Sequence, residues 1–443
     1  MKSFVRKHLC IPGLLSRIKS QYIKIEDNRK SNQFPLVDCL MSGIAMFGLK
    51  YPSLLQFDQD TRNNERVQHN LKSLYQVERA PSDTQFRSRL DLIDHKPLQK
   101  GIDRIIAQLQ RGKVLDTFHF MQDYLLVAID GTGYFSSHDV HCEQCCVKNH
   151  RDGTKTYYHQ MLAAVIAHPD HRQVFPLILE PILKQDGSKK NDCEHNGLKR
   201  LLVNLRRSHP HQKLIVTLDG LYADGVIIQL LKDLDIRFII TAHETDLKYL
   251  YEFYHAAKKD TLTTNQDKGK NTICRWVNTL PLNNTHHDCA VNLLCVEEES
   301  VSKKNKKLQK KKFAWITDLE INRKTSLTIM QGGRARWHIE NDTFNTLKNQ
   351  GYQFDHNFGH GKQNLSVVLA YLMFTAFLID QVQEFACKHF KAALKTTKRL
   401  KYLWEKMRCY FFLCQIDSWE DLYTAIAGQW GAKLSDMIAL NTT

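Results

Sequence analysis

Two largely apolar segments of the chain stop at an acid. YLLVAID runs over 124–130 and KLIVTLD over 213–219. Apolar runs of this kind, unbroken in the first segment and interrupted only by Thr217 in the second, predict central strands covered on both faces, and the acids Asp130 and Asp219 then fall at their carboxyl ends. Between them, YYHQMLAAVIAH (157–168) and QVFPLILEPI (173–182) flank HPDHR and predict a β-hairpin. Leu198, Leu201, Leu202 and Leu205 follow a helical period, as do Ile227, Leu230, Leu231 and Leu234. RFIIT (237–241) predicts a fifth strand. The order is three strands, helix, strand, helix, strand, a mixed-sheet α/β unit.

The pattern differs on either side of this unit. Residues 1–120 read as a helical N-terminal region. LVDCLMSGIAMFGL (36–49) and GIDRIIAQLQRG (101–112) are its clearest helices, and Ser82 and Gln85 stand at capping-box spacing. Arg87 and Arg89 on that capped helix could touch phosphate or belong to a solvated face. Residues 121–245 form the first part of the α/β domain. In 246–330, TICRWVNTL, CAVNLLCVEE and KFAWITDL predict a β-rich insertion, which includes the lysine-rich run KKNKKLQKKK at 303–312. Residues 331–365 return to the domain with a helix, and 366–443 form a helical C-terminal region. VVLAYLMFTAFLI (367–379) is short for a membrane span, which needs roughly 20 residues, and reads as a buried helix.

That returning helix, RARWHIENDTFNTLK (334–348), carries a third acid. At 3.6 residues per turn, Glu340 shares a face with Arg336, Trp337, Phe344 and Leu347. Glu340 is therefore expected within an apolar stripe, with a cation one turn before it, and Trp337 reads as core. The alternative for Trp337 is stacking on a displaced base. An acid at the end of a buried strand is costly without a cation or a donor network. Three such acids offer hard oxygen ligands to Mg²⁺ or Mn²⁺. Two ions of that kind can stabilise both the attacking and the leaving oxygen of an in-line displacement at phosphorus.

Charge sharpens this reading. The 443 residues carry 62 Lys and Arg against 47 Asp and Glu, a formal net charge of +15, which points to a polyanionic partner such as nucleic acid. The N-terminal residues lack the apolar core of a secretory signal. Twelve cysteines without such a signal suggest a reducing compartment. The segment HDVHCEQCCVKNH (138–150) gives Cys142 and Cys145 the C-x2-C spacing of a zinc site. No second ligand pair is evident in sequence, Cys193 and His195 being the nearest candidates, and the expectation is reduced cysteines in a polar loop with zinc as the alternative. His356 and His360, in YQFDHNFGHGKQN (352–364), take no assigned role.

DGTGYF (130–135), TLDGLYAD (217–224) and GRARWHIENDTFNTLK (333–348) resemble the three acidic motifs of insertion-sequence transposases of the DDE type. The likeness spans roughly 120–365, including KQDGSKKNDCEHNGLKRLL between the first two acids. The resemblance implies a ribonuclease-H-like catalytic domain, with a β-rich insertion before the glutamate helix. It implies that Asp130, Asp219 and Glu340 are catalytic and bind Mg²⁺ (or Mn²⁺), two ions in all. The partners it implies are the element's terminal repeats and target DNA, on which a homodimer or larger assembly acts. Strand nicking by activated water would precede strand transfer by the freed 3′-hydroxyl, in a bacterial cytoplasm. Arg336, Trp337 and Lys348 are the expected DNA contacts of this segment. In one large branch of the family a tyrosine precedes that arginine by three residues, where this chain has Gly333. The same branch has a lysine seven after the glutamate, where this chain has Leu347 and offers Lys348 one later. A nuclease without strand transfer and a catalytically silent DNA-binding protein are the competing readings.

Overall fold

The computed structural model describes residues 9–27, 34–184, 191–266, 270–284, 289–301 and 308–428. Among the described residues, eleven strands form one sheet: β1 His119–Phe120, β2 Tyr124–Ser137, β3 Cys146–Asn149, β4 Lys155–His168, β5 His171–Ile182, β6 Leu214–Leu218, β7 Arg237–Thr241, β8 Asp260–Gln266, β9 Lys270–Pro281, β10 Ala290–Val301 and β11 Leu308–Thr317. Its order is β3-β4-β2-β6-β7-β11-β10-β9-β8, with β5 also on β4 and β1 on β2. β2, β6 and β7 are parallel, whereas β4 is antiparallel to β2 and β11 to β7. The helices Glu194–Ser208 and Gly225–Asp233 make the two crossovers.

β2 is longer than its apolar run implies. Leu125 to Ile129 are buried on both faces, but the strand continues past Asp130 to Ser137, paired there with β4 alone. Asp130 thus lies in mid-strand, where the parallel partner β6 ends. The ladder's last pair is Ala128 with Thr217; two residues further on come Asp130, still within β2, and Asp219, one past the end of β6 in extended conformation. Because side chains alternate, both aspartates share the face of Leu126 and Ile215. That face packs against Ile329 and Met330 of the helix Ser326–Arg334 in a core of its own.

The other face belongs to a larger core that joins the sheet to both helical ends of the chain. Its centre is the helix Leu365–Ala386, packed between β5 and the N-terminal helix Leu36–Gly48. That helix is long and apolar enough to span a membrane by length and composition, yet all of its most apolar window is buried inside the protein. Asp380 of this helix forms a buried ion pair with Lys50 at 2.7 Å, and Tyr352 also donates to Asp380. Ser82 and Gln85 form the expected capping box. Arg89 on the same helix is buried and bonds Asp27 and the carbonyl of Phe34, so it supports the fold rather than facing phosphate. Arg87 pairs with Asp83.

The strands of 246–330 extend the central sheet, since β11 pairs with the edge of β7. Of the lysine-rich run, residues 302–307 lie outside the described residues; Lys310, Lys311 and Lys312 stand on β11 opposite Glu299, Glu298 and Glu297 of β10.

Candidate active site

Between Arg334 and Asn345 the polypeptide does not continue as a regular α-helix. A tight turn over 335–338 leads into a π-helical segment, Ile339–Phe344, and α-helix resumes at Asn345–Asn349. Single π turns insert one extra residue into a helix and recur at functional sites. Through this irregular stretch the single face expected from a 3.6-residue period does not hold together. Glu340 is not within an apolar stripe: its side chain is 47% exposed. Trp337 is not core either, being 47% exposed and stacked on His338. Phe344 and Leu347 are buried as expected.

The guanidinium of Arg336 gathers the three acids. Its Nη1 lies 3.0 Å from Asp130 Oδ2, and its Nη2 lies 2.8 Å from Glu340 Oε1 and 4.0 Å from Asp219 Oδ1. Asp130, the least exposed of the three, has its pKa raised from the usual 3.8 to about 6. Burial is the main cause; Gly131 N–H and Arg336 oppose it, while Glu340 and Asp219 add to it. A buried carboxyl with two further acids beside it favours the arrival of positive charge.

Two glycines let the glutamate segment come this close. A Cβ on Gly332 would lie 2.8 Å from Phe120, and one on Gly333 would overlap the Trp315 indole. Trp315 thus fills the space that a side chain at 333 would need, which accounts for glycine where a branch of the transposases has tyrosine. The lysine offset has a physical account too. The extra residue of the π turn brings position 348, rather than 347, round to the Asp130 strand. Lys348 Nζ donates to Gly133 O at 2.9 Å and pairs with Asp355, while Leu347 is fully buried.

An open groove leads from Arg336 and Trp337 along β10 and β11, lined by Lys259, Arg275, Lys311 and Arg334, with Glu244 and Glu297 among the acids. Glu194 was missed in the sequence reading. It opens the helix Glu194–Ser208, its carboxylate fills the space a side chain at Gly131 would take, and Tyr222 OH lies 3.3 Å from it.

The Cys/His segment also departs from expectation. Cys142 and Cys145 are buried rather than held in a polar loop, and they face His159 of β4 and His360. Cys193 is exposed and His195 bonds Leu221 O elsewhere, so neither joins them. His159 stands on a strand and His360 on a distant loop, and no spacing rule links either to a C-x2-C pair.

Fold and site together define a mixed α/β protein with an acid cluster where two parallel strands meet a glutamate-bearing helix. The family model of the transposase DDE domain matches residues 122–378, more than half of the chain. The chain belongs to this transposase family. No curated protein matches it.

Proposed function

We propose that this chain is an insertion-sequence transposase whose catalytic acids are Asp130, Asp219 and Glu340. The observation that carries the reading is their convergence, from positions 130, 219 and 340, on the single guanidinium of Arg336. The five strands β5-β4-β2-β6-β7 and their two crossovers support a ribonuclease-H-like catalytic domain, to which β8–β11 are added at the β7 edge.

The residues present suit Mg²⁺ or Mn²⁺: the donors are carboxylate oxygens, and the cluster already draws a cation. When bound, such ions would supply Lewis-acid stabilisation of charge at phosphorus and an activated water. The protein's own contribution is positional. β2 and β6 fix Asp130 and Asp219 side by side on one sheet face. The π turn aims Glu340 at them, and Arg336 offsets their repulsion until substrate and metal arrive. Above pH of about 6, Asp130 is the ionised ligand the chemistry requires. Lys311, Arg334 and the other cations of the groove would hold the phosphate backbone, and exposed Trp337 would stack on an unpaired base. Paired-end chemistry calls for a dimer or larger assembly on DNA.

The test is cleavage of DNA carrying the element's own ends in Mg²⁺ or Mn²⁺, with wild type beside Asp219→Ala and Glu340→Ala. Release of 3′-hydroxyl ends by wild type alone, with DNA binding retained in both variants, supports the assignment. Joining of those ends to a target duplex separates transposase from nuclease. Equal cleavage by all three proteins refutes it.

A further inference from the structure

Cys142 and Cys145 lie in the connection between β2 and β3, His159 is on β4 opposite Phe135, and His360 is in the loop after the glutamate helix. All four are buried, and their four ligand atoms lie within 4.8 Å of one another. The two sulfurs are 3.7 Å apart. His159 Nε2 is 3.3 Å from Cys142 Sγ and 3.4 Å from Cys145 Sγ, and His360 Nε2 is 3.2 Å from Cys145 Sγ. A tetrahedral ion with metal–sulfur bonds of about 2.3 Å and metal–nitrogen bonds of about 2.0–2.1 Å has edges of roughly 3.3–3.8 Å between its ligands. These separations lie in that range or within about 0.1 Å of it. They do not match a disulfide, whose sulfurs are about 2.05 Å apart.

We propose that Cys142, Cys145, His159 and His360 bind one structural zinc ion, which staples the loop following the glutamate helix to the strand pair that carries Asp130. Two thiolates and two neutral imidazoles balance the charge of Zn²⁺, so the set can be buried without an uncompensated charge. The donors are soft and nitrogenous, unlike the all-oxygen cluster around Arg336, and select zinc over magnesium. Four protein ligands close the site, as in structural rather than catalytic zinc centres.

The rings are oriented for this by stacking. Nδ1 of both histidines lacks a hydrogen-bond partner among the described residues. Instead His159 stacks on Tyr134, with planes 18° apart, and His360 lies against Phe135 at 4.0 Å between centroids. Both aromatic residues belong to β2, a few positions beyond Asp130. The same two segments are sewn together nearby by Glu143 N–H to Lys362 O at 3.1 Å and by Gln144 to Asn364 at 2.7 Å. The ion would therefore fix the far end of the segment whose near end carries Glu340. This site is independent of the transposase reading and holds whether or not the acid triad cleaves DNA.

The experiment is metal analysis of the full-length protein purified in reductant from zinc-supplemented culture, followed by Co²⁺ substitution. About one zinc per chain, and a cobalt form with the visible bands of a tetrahedral ion and thiolate charge transfer, is expected. Cys142→Ser/Cys145→Ser should lose the zinc, while Cys409→Ser, at an exposed cysteine, should keep it. Should the double variant fail to fold, the wild-type stoichiometry and cobalt spectrum still decide. A wild-type protein without zinc and without a tetrahedral cobalt spectrum overturns the proposal. So does a Cys142–Cys145 disulfide in the isolated protein, or zinc retained by the double variant.

Discussion

Replacing Asp130 by asparagine should make the metal-free protein more stable while removing its activity. The folded state raises the pKa of this carboxyl from 3.8 to about 6, so between those values the folded chain holds a proton that the unfolded chain has released. Stability conferred by that proton is present below pH of about 4 and is lost as pH rises through about 6. Above that window the ionised group costs the fold roughly 3 kcal/mol, at about 1.4 kcal/mol per tenfold in proton affinity. Asparagine removes the charge but also weakens the bond to Arg336, which keeps Glu340 as a partner. A net gain of roughly 1–2 kcal/mol remains, or about 1–2 °C in a chain this long. The assay is thermal or urea unfolding in EDTA at pH 7.5 and again at pH 4.5. The variant should be the more stable at pH 7.5, with the difference shrinking at pH 4.5. Mg²⁺ should raise the wild-type midpoint more than that of Asp130→Asn. An Asp130→Asn protein less stable than wild type in EDTA at pH 7.5 would refute the reasoning, because Asp130 would then be held by its neighbours rather than strained against them.

Lys50→Met should destabilise the fold by roughly 3–5 kcal/mol, because Asp380 is left buried without its cation. Lys50→Met/Asp380→Leu should recover part of that loss in urea titrations, and no recovery would count against the pair. Asp91→Ala should cost roughly 2–3 kcal/mol, since its carboxylate accepts the backbone N–H groups of Lys362, Gln363, Asn364 and Leu365; a denaturation midpoint equal to that of wild type would contradict this. Gly333→Ala should cost roughly 1–3 kcal/mol by forcing a methyl into the Trp315 indole, and Trp315→Leu in the same chain should relieve it. Trp337→Ala should leave the melting midpoint unchanged and weaken binding to single-stranded DNA by roughly 1–3 kcal/mol, as fluorescence anisotropy would report; unchanged affinity would assign the ring no part in binding.

The parallel centre of the sheet was readable because burial on both faces leaves a nearly continuous apolar run, as in 125–129 and, apart from Thr217, in 214–218. Asp130 and Asp219 were readable for the same reason, as the acids that end such runs. What a linear pattern cannot carry is an irregularity without a sequence signal. Nothing in the sequence of 335–344 distinguishes a tight turn and a π turn from α-helix, and along this irregular stretch Trp337 and Glu340 are exposed while Lys348 reaches Gly133. Pairing across long separations was equally hidden. The strands of 246–330 were visible as strands, but their attachment to the β7 edge depends on which edge is free, not on local composition. One partner of Cys142 and Cys145, His159, stands on the nearby strand β4, but the other, His360, lies in a loop 215 residues after Cys145, and only the folded chain brings it to them.

The most direct measurement is a crystal structure of the protein grown or soaked in Mn²⁺, with anomalous differences collected to locate the ion. Anomalous density among Asp130, Asp219 and Glu340, about 2.0–2.2 Å from their carboxylate oxygens, is the predicted result. Clear density for all three side chains around Arg336 with no manganese among them, at saturating Mn²⁺ and pH above 7, would contradict the account.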